Sequence, residues 1–137
     1  MINLSVNIVS VIAAGVAAMV IGFIWYGPLF GKKWLSLMGM KESTMDNKKK
    51  MPMMALAGLV AAIITAWILA AFMQAAYVVT LDGALMVAFF VWLGFQATIT
   101  IGSVLWEGKS VSLFVLNAAH QLVSLLVMAT VLLVFST

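Results

Sequence analysis

Four stretches of more than 20 residues run without a single Asp, Glu, Lys or Arg, and they leave few folds open to the chain. A helix crossing a hydrocarbon core of ~30 Å needs roughly 20 apolar residues. The runs 4–26, 52–76, 83–106 and 111–135 all meet that length. A transmembrane β-barrel would need alternating strands of about 10 residues, and these runs do not alternate. The expected fold is therefore an all-α membrane protein, one four-helix antiparallel bundle over residues 1–137. Composition agrees: of 137 residues 66% are hydrophobic and 8% charged, with a mean hydropathy of +1.22. Soluble domains carry about 25% charged residues, and a small domain keeps much of its surface in water. A soluble globular protein, a disordered chain and a nucleic-acid-binding domain are excluded. The absence of Cys removes disulfides, thiolate metal sites and cysteine nucleophiles.

Local punctuation supports the same boundaries. Tyr26-Gly27-Pro28 can close the first run, and Pro52 sits where a first helical turn tolerates proline. Asp82 and Ser110 can cap the third and fourth helices. The first run lacks the basic flank of a signal peptide and exceeds the usual length of its apolar region, so it is read as a span.

Lysine sets the expected orientation. Lys32, Lys33, Lys41, Lys48, Lys49 and Lys50 lie in the first connection and Lys109 in the third. The second connection holds only Asp82, and the terminal tails have no charged side chains. The positive-inside rule then makes the lysine side cytoplasmic and both termini external. The short second and third connections imply that spans two, three and four stack as consecutive antiparallel hairpins. In the longer first connection, residues 28–40 mix aromatics, aliphatics and lysine, as suits a segment lying in the membrane interface. Trp25, Tyr26, Pro28 and Trp34 belong to this interfacial region, and Trp25, Trp34 and Trp106 read as belt residues.

The string Gly22-Phe-Ile-Trp-Tyr-Gly-Pro-Leu-Phe-Gly-Lys-Lys-Trp34 resembles the signature of a bacterial integral membrane family, the domain of unknown function 1761 family. Trp92-Leu-Gly-Phe-Gln-Ala-Thr98, Trp106-Glu-Gly-Lys109 and Leu113-Phe-Val-Leu-Asn-Ala-Ala-His120 are similar to it as well. The likeness implies a small four-span protein of the bacterial inner membrane and assigns no activity. Similar sequences often continue Gly-Tyr after Asn-Ala, where this chain has Ala119-His120.

The spans themselves offer little chemistry. Proton-coupled carriers usually keep an ionisable group within the membrane, and His120 is the one titratable candidate here. Asn117, His120, Gln121 and Ser124 follow i, i+3, i+4, i+7 spacing on the fourth helix and share a face. Gln96, Thr100 and Ser103 do the same on the third. Gln96 and His120 both sit roughly 13 Å from the lysine-side helix ends, so Gln96 should meet His120, and Thr100 should meet Asn117 one turn nearer that end. Unpaired amides in hydrocarbon cost several kcal/mol. These groups therefore serve either as interhelical glue or as the lining of a wet pocket between helices three and four.

One His with amide neighbours is a poor first shell for a metal, so neither a metal site nor a cofactor is expected. Met38, Met40, Met45, Met51, Met53 and Met54 read as interfacial filler. Small residues recur every four positions: Ala14, Ala18 and Gly22; Gly58, Ala62, Ala66 and Ala70; Gly94, Thr98 and Gly102. Such ridges allow close helix approach, and their number points to a homo-oligomer, by symmetry a dimer. Two functions remain. One is a non-enzymatic oligomeric channel, carrier or binding module for a small ligand or ion. The other is an interaction protein whose aromatic cytoplasmic loop docks a partner or lipid headgroups.

Overall fold

Helix starts are set by side-chain oxygens that take up the first free amides. In the computed structural model, which describes residues 2–39 and 51–136, Asn7 Oδ1 accepts from the Val9 amide at 3.0 Å and from that of Ser10 at 3.4 Å. The first span therefore begins at Ile8, four residues after the apolar run does. Thr80, not Asp82, caps the third span, its hydroxyl accepting from the Gly83 amide at 3.4 Å. A hydroxyl two residues upstream of the carboxylate is better placed for the amides of the first turn. Ser110 caps the fourth span through the Leu113 amide at 3.1 Å. Lys41, Lys48, Lys49, Lys50, Met40 and Met45 lie outside the described residues.

Four helices are long and apolar enough to cross a bilayer: Ile8–Leu29, Pro52–Ala75, Leu81–Leu105 and Val111–Ser136, the first to fourth spans. A short helix, Gly31–Met38, follows the first. Two spans are not regular. The first does not stop at Tyr26-Gly27-Pro28 but passes through a π turn, Trp25–Leu29, closed by a bond from the Phe30 amide to the Trp25 carbonyl at 2.9 Å. Gly27 leaves helical geometry there (φ −110°, ψ −105°), and Pro28 has no amide to give. The third span contains a π turn at Leu93–Ala97 and breaks again at Ile101. Its loosened carbonyls are taken up locally. The Thr98 hydroxyl donates to Gly94 O at 2.9 Å, and the Thr100 hydroxyl to Gln96 O at 2.7 Å.

The spans do not stack in sequence order. The first packs against the second and fourth, and the fourth packs against the first and third. Spans two and three touch little, although only Ala76–Thr80 separates them. The order across the bundle is thus two, one, four, three, and the expected hairpin stack of spans two to four is replaced by a central pair, one and four. Small residues explain the exchange. Gly15 lies against Ile63 so closely that a Cβ would stand 2.6 Å from its Cγ1 and 3.2 Å from its Cα. Without a water-driven hydrophobic term between helices in lipid, such close approach is what holds helix pairs together.

The main cluster of the core occupies one half of the bundle, while Leu113, Leu116 and Ala118 are buried separately toward the lysine end. Val11 and Ala14 come from the start of span one, Leu69 and Met73 from the end of span two. Ala84 and Ala88 come from the start of span three, and Leu125, Met128, Ala129 and Leu132 from the end of span four. Since the spans alternate in direction, all of these lie toward the end that carries both termini. Here Asn7 Nδ2 donates to Phe135 O at 3.3 Å and Trp67 Nε1 to Leu4 O at 2.9 Å. Toward the lysine end the helices bend, and no comparable core forms among the described residues.

The Gly15 contact gives a direct check. Gly15→Val should force spans one and two apart and destabilise the protein by about 1–3 kcal/mol, read as a loss of thermal stability in mild detergent. Gly94→Ala, at a position with nothing within 4 Å, should leave stability unchanged. Equal effects of the two would contradict this packing.

Candidate functional site

The two π turns lie toward the lysine end of the bundle, and between them the bundle is hollow. A cavity of about 820 Å³ opens there among spans one, three and four and the short helix. Thr100, Ser103, Asn117 and Gln121 supply its polar wall; Tyr26, Trp34, Trp106 and Phe114 supply an aromatic one. Glu107 and Lys109 stand at its lysine-end rim. A second chamber of about 370 Å³ lies among spans one, two and four, touching Gln96 of span three. Tyr26 and Gln121 line both chambers and so form the partition between them.

Tyr26 is held by three contacts. Its hydroxyl donates to Asn117 Oδ1 at 2.7 Å, its ring meets His120 edge-on at 4.9 Å, and Trp34 packs against it at 5.3 Å. His120 faces span one, where a Cβ on Gly22 would stand 3.6 Å from its Nε2. Its Nε2 shares a hydrogen bond with Ser124 Oγ at 3.3 Å, and the Trp25 ring lies 6.0 Å away. This Ser–His pair lies within one helix, four residues apart, and the serine hydroxyl gives the half-buried imidazole a hydrogen-bond partner.

The structure therefore redistributes the polar groups read from the sequence. Asn117 and His120 turn to span one, and Thr100 is bonded to its own backbone. Ser124 serves His120. Gln96 and Gln121 both line the second chamber, with His120 and Ser124, and the Oε1 of each is buried without a protein partner. Trp34 and Tyr26 line the cavity, as does Trp106, which is 86% exposed. Pro28 is exposed within its π turn and lines neither chamber.

Sequence periodicity missed two participants. Trp92 donates its indole N–H to the buried Ala118 carbonyl at 2.8 Å, pinning spans three and four together immediately before the π turn at Leu93–Ala97. Tyr26 reads as an interfacial anchor, yet it divides the two chambers. An aromatic residue beside Gly-Pro was the available signal, because a disrupted helix turn re-aims the side chains next to it.

No curated protein and no solved structure matches the chain. The sequence profile described as "Protein of unknown function (DUF1761)" matches residues 9–133. With that match spanning all four apolar helices, the chain belongs to the DUF1761 family, whose function is unknown.

Proposed function

We propose that this protein is a non-enzymatic binding module or carrier of the bacterial inner membrane that takes up a small ligand from its lysine end. The carrying observation is the pair of buried, unpartnered amide oxygens of Gln96 and Gln121 beside a chamber that adjoins an open cavity. Nearly all buried polar groups in proteins are paired, and each orphan costs about 1–3 kcal/mol. A ligand bearing N–H or O–H groups would relieve that cost, while its apolar part lies against Tyr26, Trp34 and Phe114. The Tyr26–Asn117 bond then acts as the latch between outer cavity and inner chamber.

The packed half of the bundle favours a carrier or receptor over a channel. Ala14, Ala66, Ala88 and Ala129 are fully buried and close the path toward the termini. Beyond them lies a separate polar cup of about 450 Å³, lined by Asn7, Ser10 and Gln74 among others. With the lysines cytoplasmic and both termini external, the ligand enters from the cytoplasm. Docking of a partner through the aromatic loop is less well supported, because Tyr26 and Trp34 are engaged at the cavity.

The dimer remains part of this proposal, now with a specific face. Ala14 and Ala66 are buried within the chain, whereas Gly94 and Thr98 are exposed on span three. Thr98→Leu should shift a dimer toward monomer in native mass measurement; a protein that is monomeric at every concentration in mild detergent and in lipid would contradict the dimer.

The absence of Cys makes the cavity directly testable. Ser103→Cys should react with a small water-soluble thiol reagent applied from the lysine side, and Ala88→Cys or Ala129→Cys should not. Equal protection at all three would deny an open cavity. The amides give a second check. In ligand-free detergent Gln121→Leu should raise thermal stability, by about 1–3 kcal/mol as a buried orphan is removed. A loss of stability would make Gln121 glue instead.

A further inference from the structure

On the lipid-facing side of the same end, a notch of about 380 Å³ separates the short helix from the start of span four. Its deep wall is apolar, formed by Phe30, Val115, Leu116 and Ala119, and its mouth carries Lys33 and Ser112. Trp25 completes it, and the indole N–H of Trp25 is buried without an acceptor. Trp25 packs on Phe30 at 4.8 Å, so the ring cannot turn away without disturbing the wall. Span four begins at Val111 with no acidic residue in its first turn; Ser110 takes up the Leu113 amide, and the positive dipole end lies beside Val111 and Ser112 of the notch lining.

A cationic amine, a hydroxyl, an unpaired indole donor and a helix N-terminus form a set of donors with no carboxylate among the lining residues. That set suits a phosphate diester. The apolar depth suits the glycerol and upper acyl carbons attached to it. We infer that this notch is a binding site for one anionic phospholipid, its headgroup phosphate held by Lys33 and Ser112 and its acyl part lying along Val115 and Ala119. The site is separate from the polar chambers, and its occupancy does not depend on the function proposed for them.

Lys32 provides an internal control, being adjacent, exposed and absent from the notch lining. Native mass spectrometry of the full chain, titrated with phosphatidylglycerol or phosphatidylethanolamine, should show one phosphatidylglycerol retained preferentially. Lys33→Gln should weaken that retention roughly five-fold, and Lys32→Gln should change it less than two-fold. Trp25→Phe, which keeps the ring and removes the donor, should also weaken it. Glycerol phosphate, which lacks acyl chains, should not displace the lipid. Equal losses from Lys32→Gln and Lys33→Gln would reduce the effect to diffuse charge attraction and overturn the site. Equal retention of the two lipids would overturn the selectivity for an anionic phospholipid, and displacement by glycerol phosphate would overturn the acyl groove.

Discussion

Hydrocarbon supplies no hydrogen bonds, so each polar group that a span carries must be satisfied by the protein or by something the protein binds. Most of this bundle obeys the first option. Thr98 and Thr100 close the carbonyls freed by the π turn in span three, Trp92 reaches across to Ala118, and Ser124 meets His120. Where the first option fails, the failures cluster. Gln96 and Gln121 border one chamber, and Trp25 borders a notch nearby. Clustering separates a site from scattered imperfection, because independent packing faults would have no reason to share two cavities.

The same constraint explains the division of the molecule into a closed and an open half. Toward the termini the interfaces are built on alanine and leucine, and the helices approach closely. Trp92 marks the limit of that region. Beyond it span three passes through its π turn and a second break at Ile101, while span one loses helical geometry at Gly27. A helix that changes its turn also changes its heading and the aim of its side chains. Two such changes near one bundle end accompany the open vestibule, and in span three the Thr98 and Thr100 hydroxyls bond carbonyls of the loosened turn.

Much of the fold was legible because length and charge are the only variables a spanning helix needs. The four runs and a short segment between the first two follow from them, and the Ser110 cap from its hydroxyl; that the segment is a helix over Gly31–Met38 was not read from the sequence. Helix rotation was not legible. In water an amphipathic stripe reports which face is inside, but these spans are apolar all round, so the sequence carries little record of which helix each face meets. Chain adjacency was a partial guide: Gln96 and His120 of consecutive spans do line one chamber, but His120 also packs toward Gly22 of span one, which adjacency did not indicate. The shared face of Asn117, His120, Gln121 and Ser124 is real at helical spacing. It is broad enough to serve a latch, a ring contact and a chamber wall at once.

Consecutive residues of one π turn link the two sites. Tyr26 divides the chambers, and Trp25 lines the lipid-facing notch on the other side of His120, with which both rings are in contact. A π turn has a different register from an α turn, so resolving it into regular helix would rotate both side chains together. A ligand that drew Tyr26 from Asn117 through that backbone change would also alter the seat of Trp25. By linkage, a lipid that fixes Trp25 must bias the latch to the same degree. The Gly27-Pro28 pair makes such a change local: Pro28 offers no amide to hold the turn, and Gly27 carries the non-helical dihedral angles at the break. Coupling between membrane composition and chamber access would thus require motion in one turn of span one, while the packed half, with its Trp92–Ala118 pin, stays in place.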